Sequence, residues 1–134
     1  MLITYESLTG NVQRFVDKIT NNKHLNVKKI TEDTMITEPF IHITYTIGFG
    51  EVPKLTQVFI HNNKGLLRGI CSSGNKNWGN NFGLAADKIA SQYDVPILLK
   101  FELAGTDSDV AKFIELTNYI SGEEACLSGE KFIK

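Results

Sequence analysis

Five short apolar runs bounded by polar turns, at residues 1–5, 25–30, 40–46, 66–72 and 96–103, alternate with stretches whose apolar side chains recur every three or four positions. Val12, Phe15, Val16 and Ile19 mark a first helix, Leu55, Val58 and Phe59 a second. Phe82, Ala85, Ala86, Ile89 and Ala90 mark a third, and Val110, Phe113 and Ile114 a last. Strand followed by helix, repeated, dictates a parallel sheet, because parallel neighbours need a long crossover and a helix supplies it. Local signals agree: Pro53 suits the first position of the second helix, Asn80 or Asn81 can cap the third, and Thr106-Asp107-Ser108-Asp109 reads as a capping box. The stretch between Ile30 and Phe40 is short and contains Pro39, so the helix expected there reduces to a turn or loop.

The second and fifth runs carry Lys28 and Lys29, and Lys100 and Glu102, whereas the third and fourth are more uniformly apolar. Polar strands belong at sheet edges. That places the strands in the order 2-1-3-4-5, an α/β, flavodoxin-like, doubly wound five-stranded parallel sheet between two helical layers. In such a sheet a ligand sits at the carboxyl ends of strands one, three and four. Residues 1–120 make one domain under this scheme. The stretch 121–134, with Gly122, Glu123, Glu124, Gly129 and Glu130, is expected to be a loosely held or disordered tail.

Composition narrows the partners. Fourteen Lys and Arg against fifteen Asp and Glu give a net charge of −1, so no basic field attracts nucleic acid or anionic lipid. No apolar run approaches the ~20 residues of a spanning helix. Met1 leads straight into a strand rather than into a targeting segment, so a cytoplasmic, membrane-free location is expected. Cys71 and Cys126 match neither a zinc nor a redox spacing, and His24, His42 and His61 lie on separate elements, so no metal site is expected.

Three loops at the strand ends carry the chemistry. Ser7-Leu8-Thr9-Gly10-Asn11 runs into a helix beginning near Val12, gathering hydroxyls and backbone N–H groups at a helix N-terminus, an arrangement suited to phosphate. No Lys or Arg lies in this loop, so amide dipoles and hydroxyls would hold the anion. The second loop, Thr46-Ile47-Gly48-Phe49-Gly50-Glu51-Val52-Pro53, flanks an aromatic with two glycines; the plain alternative is a tight turn with Phe49 folded into the core. The third, Ser73-Gly74-Asn75-Lys76-Asn77-Trp78-Gly79-Asn80-Asn81, is rich in hydrogen-bonding groups and holds the sole tryptophan. A phosphate cradle beside two aromatic, glycine-bearing loops meets the requirements of a flavin mononucleotide (FMN) site. Competing sites fail on residues. A phosphoacceptor receiver needs acids where Thr44-Tyr45-Thr46 stands, a small phosphatase needs a Cys and an Arg around residues 6–11, and neither a dinucleotide fingerprint nor a Walker pattern occurs.

The sequence resembles the NrdI family, the flavodoxin-like FMN proteins of class Ib ribonucleotide reductase systems. The resemblance rests on Ser7 to Val12 with Arg14-Phe15-Val16, Tyr45 to Pro53, Ser73 to Phe82 with Ala85-Ala86-Asp87, and Lys100 to Thr106. Val12, where ordinary flavodoxins usually carry Thr, and the Asn and Lys residues of the third loop favour this family over a generic electron carrier. The resemblance implies a redox activator rather than a stand-alone metabolic enzyme. Its reduced FMN meets dioxygen and yields superoxide for assembly of the dimanganese-tyrosyl radical cofactor in the reductase small subunit, which holds the manganese. It also implies a flavin reductase or other electron donor, and a protein monomeric when free. A flavodoxin-type one-electron carrier and a flavin-free binding domain of the same fold remain as alternatives.

Cofactor-binding candidates are Ser7, Leu8, Thr9, Gly10, Asn11, Val12, Thr46, Ile47, Gly48, Phe49, Gly50, Ser73, Gly74, Asn75, Trp78 and Gly79. Gly48 is placed beside the flavin N5, where its peptide can flip between accepting and donating. No Asp or Glu occurs between Arg68 and Asp87, so Lys76 and neutral amides would face a ring that becomes anionic when fully reduced. Lys76 is therefore the expected redox-tuning residue.

Overall fold

The computed structural model describes residues 1–21 and 25–127, and the backbone alone for 125–127. Five parallel strands, β1 (Leu2–Tyr5), β2 (Asn26–Lys29), β3 (Phe40–Tyr45), β4 (Leu67–Gly74) and β5 (Ile97–Glu102), form one sheet in the order β2-β1-β3-β4-β5. The register pairs Ile3 with Ile41 and Val27, and Tyr45 with Ser73, so β1, β3 and β4 end together along one edge. The helices are α1 (Asn11–Ile19), α2 (Lys54–Asn63), α3 (Leu84–Tyr93) and α4 (Asp107–Leu127). As the polarity of their residues dictates, β2 and β5 are the edges, and no helix separates β2 from β3.

Alternation along the central strands divides the core in two. Ile41 and Ile43 of β3 point toward Phe15, Val16 and Phe113 of α1 and α4, and Phe40 points the other way, toward Phe59 and Ile60 of α2 and Ile89 of α3. Phe15 stacks on Phe101 with ring centroids 4.0 Å apart and meets Phe113 edge-on at 5.6 Å, clamping α1 and α4 onto the sheet. The capping box at α4 is present and reciprocal: Thr106 N–H donates to Asp109 Oδ2 at 2.8 Å and Asp109 N–H to Thr106 Oγ1 at 3.1 Å.

Several local expectations are corrected. Pro53 is the N-cap of α2, with φ −57° and ψ 142°, and the first helical residue is Lys54. Neither Asn80 nor Asn81 caps α3; both lie in a 3-10 segment, Lys76–Asn81, and the N-cap is Gly83. Val58 is exposed rather than part of a buried face. The last helix passes the boundary expected at 120: Ser121 to Leu127 are helical, and Glu124 pairs with Arg68 Nε at 2.6 Å. The remainder of the expected tail, 128–134, His24 and the Cys126 side chain lie outside the described residues.

Candidate functional site

The loop after β1 turns into α1 through Gly10, which has φ 93° and offers no side-chain cap. Ser7 caps the helix instead, its Oγ accepting from Gln13 N–H at 3.2 Å. That bond uses an acceptor position of Ser7 and leaves the hydroxyl proton available to an anion. The N–H groups of Asn11 and Val12 have no intrahelical partner by the geometry of a helix start. Arg14 reaches back over the same turn, donating to Asn11 Oδ1 at 2.6 Å. A cation thus stands beside a loop that contains none; the signal in the sequence was the one-turn spacing from Asn11 to Arg14.

The second loop is pinned by its own backbone: Ile47 N–H donates to Glu51 O at 3.0 Å and Glu51 N–H to Ile47 O at 2.7 Å. Gly48 adopts φ 53° within this tight turn. A Cβ there would lie 3.5 Å from Glu51 Oε1, an ordinary contact, so the backbone conformation and not space calls for glycine. Phe49 is 85% exposed, which overturns the alternative in which it folds into the core.

In the third loop the strand persists through Ser73 and Gly74, and the rest winds into the 3-10 segment, with Trp78 N–H donating to Asn75 O at 3.0 Å. The loop is stitched to the end of β5: Ser73 Oγ donates to Leu103 O at 2.7 Å, and Leu103 N–H to Gly74 O at 3.0 Å. Gly74 packs against the start of α3 so closely that a Cβ would lie 2.8 Å from Gly83 N.

These loops enclose a cavity of about 330 Å³. Ser7, Leu8, Thr9, Asn11 and Val12 line it from the first loop, Thr46, Ile47 and Gly48 from the second, and Ser73, Gly74, Asn75 and Trp78 from the third. The first loop brings polar groups from Ser7, Thr9 and Asn11, and the other two bring Thr46, Ser73 and Asn75. The mouth is apolar, with Leu8 72%, Leu103 49% and Trp78 41% exposed. Other expected residues serve differently. Gly10 shapes the entry to α1, Gly50 lies beneath Leu84, Gly79 kinks the 3-10 segment, and Phe49 lines an adjoining hollow with Gly48, Trp78 and Asn81. Lys76 is not among the lining residues; it lies in a separate hollow with Lys100 and Glu102, and its N–H donates to Glu102 Oε2 at 3.1 Å.

Sequence reasoning missed Tyr45 and Leu103 in the lining and Glu6 behind it. The Tyr45 hydroxyl donates to Glu6 Oε2 at 3.2 Å. Burial, then the charge of Glu6 and the bond to it, push that hydroxyl up to about 12. A larger hollow of about 540 Å³ lies between the outer faces of α2 and α3, but none of the loop residues that gather hydroxyls and helix-start amides reaches it. The strand-end cavity is the better candidate, because doubly wound sheets bind ligands there.

The chain is similar to known proteins in the same regions. The family described as NrdI Flavodoxin like matches residues 3–115. The SPbeta prophage-derived protein NrdI of Bacillus subtilis (strain 168) is 54% identical over 113 residues, covering 84% of this chain and 88% of the relative. Protein NrdI of Bacillus licheniformis is 52% identical, covering 84% of each chain, and Protein NrdI of Macrococcus caseolyticus is 47% identical, covering 84% and 85%. Among solved structures, a short-chain flavodoxin associated with a non-canonical PDU bacterial microcompartment superposes with a TM-score of 0.72 over 91% of this chain and 96% of its own, at 17% identity. That likeness speaks to the fold alone.

Proposed function

The chain belongs to the NrdI flavodoxin-like family, and from that premise we propose that it binds FMN in the strand-end cavity and serves as the redox activator of a class Ib ribonucleotide reductase. The observation that carries the binding is the convergence of three separate loops on one cavity, the first bringing hydroxyls and helix-start amides and all three bringing apolar or aromatic side chains or close backbone. Its volume lies at the lower end of the ~300–1,000 Å³ range of small-molecule sites. The donor set fits the group: a phosphate needs N–H and O–H donors, and a flat ring needs backbone at close quarters and an aromatic wall.

Ser7, Thr9 and the N–H groups of Asn11 and Val12 hold the phosphate, with Arg14 adding a cation at its edge. Trp78 and Leu8 bound the ring, and the exposed mouth leaves a path for dioxygen. Gly48 presents its peptide to the ring, and its lack of a Cβ lets it hold the positive φ of that turn. Lys76 acts on the ring's charge from the neighbouring hollow rather than from the cavity wall. Bound and reduced, FMN supplies one electron to dioxygen, which leaves as superoxide for the dimanganese centre of the reductase small subunit, and a flavin reductase or other donor restores the electron. Among the described residues no three His, Cys, Asp or Glu side chains cluster as metal ligands.

The test is direct. Purified protein should be yellow or take up one equivalent of FMN with quenching of Trp78 fluorescence. Anaerobically reduced and mixed with oxygen and manganese-loaded small subunit, it should generate the tyrosyl radical seen by electron paramagnetic resonance. Binding without radical or superoxide would leave a one-electron carrier, and failure to bind flavin would overturn the reading.

A further inference from the structure

Glu6 stands one hydrogen bond behind the cavity wall. It precedes Ser7 in the chain, and its carboxylate accepts from two hydroxyls, Tyr45 at 3.2 Å through Oε2 and Thr56 at 2.6 Å through Oε1. The chain of contacts continues inward: Thr56 Oγ1 lies 2.9 Å from His42 Nε2, and His42 Nδ1 lies 2.7 Å from Thr4 Oγ1. Directions follow from proton counting. Thr56 gives its one proton to the carboxylate, so its oxygen accepts from His42 Nε2–H, and Nδ1 then accepts from the Thr4 hydroxyl. The carboxylate is thereby fixed by a fully buried scaffold, since Thr4, His42 and Thr56 are all inaccessible to solvent. Tyr45, the group between Glu6 and the cavity, lines that cavity.

We propose that Glu6 is a positioning and charge-setting residue of the flavin site, holding Tyr45 as part of its wall and lowering the potential at which a second electron enters the flavin. The inference rests on the flavin reading above. A ring that becomes anionic when fully reduced is opposed by a like charge one side chain away, in a site partly withdrawn from water. Glu6 thus supplies a sign opposite to that of Lys76, and a second-electron potential set by both is lower than Lys76 alone would give.

The experiment uses wild-type protein, Glu6→Gln and Tyr45→Phe, each first titrated with FMN and then reduced anaerobically with dithionite against indicator dyes to give the two one-electron potentials. Glu6→Gln keeps shape and removes charge. Its second potential should rise as the equilibrium constant moves three- to tenfold, roughly 30–60 mV. Tyr45→Phe keeps the charge and removes one of its two donors, so its second potential should fall. Opposite directions separate a charge effect from damaged packing, which would move both variants the same way and overturn the proposal. An unchanged potential in Glu6→Gln overturns it too. Should Glu6→Gln not fold, Tyr45→Phe decides alone, a rise or no change refuting the proposal. Wild-type protein that binds no FMN refutes the functional reading, an outcome recorded before any potential is measured.

Discussion

Acid should destabilise this fold through His42. The imidazole is fully buried, and that burial lowers its pKa from 6.5 to about 3. Its ring nitrogens meet Thr4 and Thr56, so the folded protein keeps it neutral while the unfolded chain protonates it normally. The folded pKa lies below the unfolded one. The stability tied to the neutral ring is therefore complete above about pH 6.5 and is lost as the pH falls through the window from 6.5 toward 3. At pH 5 the loss is set by the unfolded value and hardly by the folded one: 1.5 pH units at 1.36 kcal/mol each give about 2 kcal/mol. Urea unfolding of wild type and His42→Gln at pH 7.5 and pH 5 measures it, because the difference between the two proteins cancels the other histidines. Wild type should lose about 2 kcal/mol more than the variant over this interval. Should the variant not fold, imidazole resonances of wild type report directly, His42 remaining neutral at pH 5. A midpoint near 6 for His42, or equal losses in the two proteins, would refute the reasoning.

Ser7→Ala removes both the cap on Gln13 N–H and a hydroxyl of the phosphate cradle; it should cost about 1 kcal/mol of stability and weaken FMN more than riboflavin, read by fluorescence titration. Equal weakening of the two flavins would show that Ser7 does not touch the phosphate. Gly48→Ala places a Cβ at φ 53°, for which a penalty of about 1–2 kcal/mol is expected in thermal or urea unfolding of the apoprotein. It should also alter the spectra recorded as bound FMN is reduced stepwise, and spectra matching wild type would remove Gly48 from the ring. Thr117 Oγ1 is buried on α4 with no hydrogen-bond partner among the described residues. Thr117→Val should therefore raise stability, by about 1 kcal/mol, and the melting temperature with it; a fall would mean the hydroxyl has an ordered partner.

What the sequence disclosed, and what it withheld, follows from the range of the interactions. Strand order was legible because lysines in β2 and β5, against the more apolar runs of β3 and β4, are one-dimensional signals of edge and centre. The three loops were legible for the same reason: each is a continuous run of residues, and twelve of their positions do line the cavity. Asn80 and Asn81 misled because residue preference does not reveal the left-handed turn at Gly83, with φ 61°, which moves the start of α3 downstream. Counting acids within one loop left Lys76 without a carboxylate neighbour, because Glu102 reaches its backbone only through the pairing of β5 with β4. The Thr4–His42–Thr56–Glu6–Tyr45 chain was illegible for a stronger reason. Its members come from β1, the turn after it, β3 and α2, and each alone reads as an unremarkable polar residue. Only parallel packing at one sheet edge joins them, and it joins them at the cavity. Position along the chain thus announces the backbone and hydroxyl groups that line the cavity, whereas the charged groups beside it are assembled by the fold. A search for tuning residues in relatives should accordingly begin from contacts to the cavity wall rather than from the composition of the loops.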